Sequence, residues 1–209
     1  MLKEAFCKAL SHYNRDETVA NTLWADIYQN HTAKTRQYHN ITHLENLLLE
    51  LLPCRDVIQD WDVIIFSICY HDIVYDVLIN DNEELSAGYA KSKLEAANVP
   101  ACKVRQCMLQ IAATKFHNKT GDTDTDLFTD ADTGILGKSH ATYNEYAAQI
   151  RQEYLVYPDS LYNPGRQKVL QQFLSTAAIF KTDYFFNLYE LQARDNIKQE
   201  IKSLQLTFR

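Results

Sequence analysis

The stretch Ile64 to Asp76, IIFSICYHDIVYD, constrains the fold more than any other part of the chain. Its apolar residues recur at helical spacing. His71 and Asp72 continue the two edges begun by Ile64 and Ile68 and by Ile65 and Cys69, which predicts a helix with two polar groups facing a core. An ionised carboxylate in that position costs several kcal/mol unless it is protonated, paired or coordinating a cation. His beside Asp offers one neutral nitrogen and one anionic oxygen, a pair that suits a divalent metal. A hydrogen-bonded core histidine next to a capped aspartate satisfies the same pattern.

The remainder reads as helices. Only five Gly and four Pro occur in 209 residues, so turns are few. Helices are expected over Lys3–His12, from an Asp16 cap to about His31, and from about His39 to Leu52, where Pro53 ends the run. Asp56 is the expected cap of the central helix. Asn80 or Asp81 can cap a helix with an acidic first turn that reaches towards Pro100, followed by another from Lys103 to about Phe116. HNKTGDTDTD reads as a polar surface loop. Later helices are expected from Ser139 to about Tyr157, from Asn163-Pro164 onward, and from a Thr182 cap. The last of these has Phe185, Leu188, Leu191, Ile197, Ile201 and Leu204 as its apolar positions. With no strand alternation, repeat or linker, the reading is all-α. It places one domain over 1–209, its core at about 36–157 and the terminal helices packed on it.

A net charge of −6 without a basic run argues against nucleic acid as a partner. No apolar run approaches bilayer length, and the opening MLKEAFCKALSHY lacks a signal-peptide core. The expected location is therefore cytoplasmic, with no membrane partner. The five cysteines contain no CxxC pair and read as reduced, mostly buried side chains.

Three further stretches combine polar chemistry with apolar surroundings. In RQYHNITH, Arg36, His39 and His43 are spaced three and four apart and would share one side of a continuous helix. In NEELSAGY, Glu83 and Ser86 are one turn apart. In FTDADTGILG, Asp130 and Asp132 lie between Phe128 and Ile135, an acidic pair that wants a cation.

His43, then His71-Asp72 after 28 positions (71 − 43), then Ala131-Asp132 after 60 more (132 − 72), resembles the H…HD…D signature of the HD-domain metal-dependent phosphohydrolases. More narrowly, YHNITH, HDIVYD, NEELSA, TKFH, DADTGILG, IRQEY and ARDN resemble, in order, a bacterial family of predicted metal-dependent HD phosphohydrolases. The resemblance implies an HD-like helical bundle holding one divalent ion (Mn, Mg, Co, Ni, Zn or Fe) through His43, His71, Asp72 and Asp132. Asp132, which follows an alanine as in the superfamily, is preferred over Asp130 as the ligand. Asp130 is then free to accept a hydrogen bond from a histidine ring.

The implied function is hydrolysis of a small phosphorylated metabolite, such as a nucleotide, by attack of metal-bound hydroxide on phosphorus. Basic groups would stabilise charge on the phosphoryl oxygens, with Arg36 first, His39, Lys115 and His117 next. As alternatives, Arg36 is a solvated helix-start charge and His39 a cap or a carboxylate's partner. Asp76 and Glu83 compete for the general acid or base role, against a turn role for Asp76 and a cap for Glu83. His117 could extend the cluster to a second metal, but the histidines present favour a mononuclear site. The rival reading is a non-catalytic metal- or nucleotide-binding regulatory module on the same scaffold. Oligomeric state, including a homo-oligomer, is left open.

Overall fold

The computed structural model describes residues 1–206, which form ten α-helices with no strand among the described residues. The all-α expectation therefore holds. The chain divides into two compact units, Met1–Thr129 and a second beginning at Asp130.

In the first unit, α1 spans Leu2–Ser11 and α2 spans Glu17–His31, with the Asp16 carboxylate accepting from the Thr18 amide as its sequence position suggests. Helix α3 spans Ile41–Leu51 and starts later than expected. The Asn40 side chain accepts from the Thr42 and His43 amides, so the backbone becomes helical only after it. Arg36 and His39 lie in the preceding turns, and the expected one-sided helical row of Arg36, His39 and His43 does not form. A 3-10 helix, Leu52–Val57, follows with Pro53 at its start, and Asp56 falls inside it. The cap of α4 (Trp61–Tyr70) is instead Asp60, which accepts from the Val63 amide.

Every residue of α4 from Val63 to Tyr70 is buried, and α1, α3, α5 (Asn82–Ala96) and α6 (Ala101–Ala113) all pack on it. Each large apolar side chain so buried contributes about 1.5–3 kcal/mol. That all-round burial explains why α4 is apolar on every side rather than amphipathic. The helix ends at Tyr70. His71 keeps helical angles (φ −60°, ψ −37°) as its cap, but Asp72 and the residues to Asp76 form the turn leading to α5. Asp76 is therefore not one helical turn beyond Asp72.

The expected loop HNKTGDTDTD is helical from Thr123, where α7 (Thr123–Asp132) begins. Its acidic residues disguised it, because they serve as acceptors for backbone amides, with Asp124 and Asp126 buried. Asp124 accepts from the Gln59 and Asp60 amides at 2.9–3.1 Å. Asp126 accepts from the Thr120 amide and hydroxyl, both at 2.8 Å, and Asp122 caps the Thr125 amide. Acidic residues in a first turn also suit the positive end of the helix dipole.

In the second unit, a 3-10 helix (Thr133–Gly137) precedes α8 (His140–Glu153), α9 (Asp159–Ser175) and α10 (Asp183–Leu206). Helix α9 starts after Pro158, and Pro164 lies inside it instead of opening it. Phe185, Tyr189, Ala193 and Ile197 form the buried face of α10 at four-residue spacing, whereas Leu188 and Leu191 are 51% and 88% exposed. Asn196 explains this choice of face: its amide donates to the Leu136 and Lys138 carbonyls at 2.8 Å, tying α10 to the 3-10 helix. Gly137 lies against Tyr189, and a Cβ there would come within 2.3 Å of the Tyr189 Cβ. Among the described residues all five cysteines are free, and Cys54, Cys69 and Cys107 are buried. No helix there is long and apolar enough to cross a membrane.

Candidate metal centre

Two elements of the first unit bring the histidines together. Asn40 fixes the first turn of α3, from which His43 projects, and the end of α4 presents His71 and Asp72. Both imidazoles are buried, at 4% and 1% exposure. His71 Nδ1 lies 3.1 Å from the Ile68 carbonyl. A carbonyl only accepts, so Nδ1 carries the hydrogen and neutral His71 presents a bare Nε2 lone pair.

That Nε2 is 3.2 Å from His43 Nε2 and 2.9 Å from Asp72 Oδ2, and His43 Nε2 is 3.8 Å from the same oxygen. Two buried imidazole nitrogens and a partly buried carboxylate oxygen at these separations repel one another unless a proton or a cation lies among them. The separations also test a metal directly. Sides of 3.2, 2.9 and 3.8 Å enclose about 4.5 Å². Their product divided by four times that area places the equidistant point about 2.0 Å from each atom, against metal–ligand distances of roughly 2.0–2.2 Å for imidazole and carboxylate.

Aromatic groups surround this triangle. The Tyr38 ring centroid is 4.8 Å from that of His43, the His39 ring is 5.8 Å from His43, and His39 stacks on Tyr75 at 4.2 Å. Phe128, on α7, meets His71 edge-on at 5.7 Å. Asp132 is the last residue of α7, one turn beyond Phe128 on the same helical face. Tyr38 and Tyr75 were missed by the sequence reading, although each adjoins a ligand-bearing motif (YH and HDIVY) and aromatic residues beside such motifs are the available signal.

The other expected site residues have identifiable surroundings. Arg36 donates to the backbone carbonyls of Asp72, Ile73 and His39. Lys115 donates to Glu84 at 2.6–2.7 Å and to the Asn80 carbonyl, with Glu83 3.8 Å away, so it neutralises the acidic start of α5. The hydrogen bond that it donates to Glu84 holds the Lys115 ammonium above its ordinary value. Asp76 is exposed and accepts from the Leu78 amide, while Ser86 pins the same turn through both backbone groups of Val74. His117 is half-buried with a left-handed φ of 50° after α6. Asp130 is filled by groups of the second unit: it accepts from the amides of Lys181 and Thr182 and from the Thr182 hydroxyl at 2.7 Å, and it forms an ion pair with the Lys181 ammonium at 3.1 Å. It caps that segment, and these donors occupy the positions through which it would have accepted from a histidine.

His31, the last residue of α2, is also buried near this region. Its Nδ1 lies 2.9 Å from the Ile27 carbonyl and its Nε2 has no hydrogen-bond partner. Burial first, then the positive charge of Arg36, pulls its pKa down to about 3. Its position at the end of an amphipathic helix carried no signal of this.

No family model matches the chain, and neither a curated protein nor a solved structure matches it significantly.

Proposed function

We propose that the chain is a member of the HD-domain superfamily and a metal-dependent phosphohydrolase acting on a small phosphorylated metabolite such as a nucleotide. In this reading, as the resemblance implies, His43, His71, Asp72 and Asp132 hold one divalent ion. The observation that carries it is the equidistant point about 2.0 Å from His43 Nε2, His71 Nε2 and Asp72 Oδ2.

A divalent ion supplies Lewis acidity there, lowering the pKa of water and offsetting charge on a phosphoryl oxygen. The chain's own contribution begins with His71, whose Nδ1–H bond to Ile68 keeps Nε2 free to ligate. The half-buried Glu83 and the exposed Asp76 are the proton-transfer carboxylates of this reading. His39, Lys115, His117 and Arg36 are its cations and donors near substrate, although three N–H contacts of Arg36 already go to backbone.

The test is phosphate release from a panel of nucleotides and sugar phosphates. EDTA-stripped protein is assayed after restoring Mn²⁺, Mg²⁺, Co²⁺, Ni²⁺, Zn²⁺ or Fe²⁺ singly. Activity should return with at least one ion and be absent in folded His71→Ala and Asp72→Ala proteins. One bound metal per chain with no turnover on any substrate would replace the hydrolase with a metal-binding module.

A further inference from the structure

We propose that Arg36 is the positioning residue of this centre, holding the turn before α3 against the turn after α4 and so setting the separation of His43 from the His71–Asp72 pair. The inference rests on the metal reading above. Arg36 Nη1 donates to the Asp72 carbonyl at 2.6 Å and to the His39 carbonyl at 3.2 Å, and Nη2 donates to the Ile73 carbonyl at 3.0 Å. The residue is 8% exposed, and its guanidinium lies 5.5 Å from the centroid of the Tyr75 ring on which His39 stacks.

These acceptors are informative. Residues 72 and 73 directly follow the end of α4, where carbonyls lack intrahelical partners and the helix dipole is negative, so a buried cation is favoured there. His39 directly precedes Asn40, the cap that orients the turn bearing His43. One planar fork therefore joins the backbone beside one ligand to the backbone beside the other two. A lysine retains the charge but has a single nitrogen on a flexible stem and cannot reproduce two fixed donor nitrogens spanning three carbonyls. Loss of the groups that orient metal ligands typically weakens metal binding by about 10- to 100-fold.

The experiment measures Mn²⁺ affinity and stoichiometry by calorimetry on EDTA-stripped wild type, Arg36→Lys and Arg36→Gln. Far-UV circular dichroism and thermal melting follow the fold, and the visible spectrum of bound Co²⁺ reports ligand geometry. The expected result is one site per wild-type chain, about 10- to 100-fold weaker Mn²⁺ binding in a folded variant, and an altered Co²⁺ spectrum. Unchanged affinity and spectrum with a lowered melting point would make Arg36 purely structural. Unchanged affinity with a raised KM would make it a substrate contact, and unfolding of both variants would assign it to chain stability; each of the three overturns the proposal. Absence of Mn²⁺ binding by the wild type would overturn the metal reading itself, and the proposal with it.

Discussion

His31 offers a quantitative test of the interior of the first unit. Its pKa falls from 6.5 to about 3 in the folded chain, chiefly through burial and secondarily through Arg36. The unfolded chain therefore binds a proton below about pH 6.5 that the folded chain refuses until about pH 3, so stability declines as pH falls through that window and is unaffected above it. The full shift corresponds to roughly 4–5 kcal/mol, of which about 2.5 kcal/mol is lost between pH 7 and pH 4.5. Substituting His31→Leu removes the titrating ring and the unpartnered Nε2. At pH 7 that should leave stability about equal or raise it by about 1–2 kcal/mol, since an unsatisfied buried acceptor costs about that much. The assay is urea unfolding at pH 7 and pH 4.5 in EDTA, followed by tryptophan fluorescence. Trp24 on α2 and Trp61 on α4 report directly on this unit. Wild type should lose about 2.5 kcal/mol more than His31→Leu over that interval. Equal losses in the two proteins would refute the claim that His31 is held neutral by burial.

Asp132→Asn should lose metal in a calorimetric titration, whereas Asp130→Asn should retain most of it and be less stable by about 3–5 kcal/mol, because the Lys181 ammonium is left buried without its anion. The reverse pattern of metal loss would exchange the roles of the two carboxylates. Gly137→Ala should destabilise the chain by more than about 2 kcal/mol in thermal melts. Adding Tyr189→Ala should not restore it, since the obstructing atom at 2.3 Å is a Cβ that alanine keeps. Glu200→Gln should lower stability by about 3–5 kcal/mol at pH 7, because it leaves the buried Arg166 guanidinium without the carboxylate that it grips at 2.8 and 3.1 Å. A melting point within a degree of wild type would show that this ion pair contributes little.

The helical class was legible in the sequence because it depends on local periodicity and on few turn residues, and single caps such as Asp16 were legible for the same reason. The neighbourhood of His43 and His71-Asp72 was anticipated only through the spacing of a known signature, since nothing local links residues 28 positions apart (71 − 43). Tertiary structure decided the rest. Whether the TDTD carboxylates face water or cap other segments depends on which backbone amides lie opposite them, and Asp124 finds those of Gln59 and Asp60. Which side of α10 is buried followed from the hydrogen bonds of Asn196 and the fit of Tyr189 against Gly137, so Leu188 and Leu191 stay exposed although they are more apolar. The role of Arg36 was equally hidden, because its partners are backbone carbonyls, and every residue type has one. Side-chain identity specifies donors and acceptors, but only the folded chain determines which of them meet.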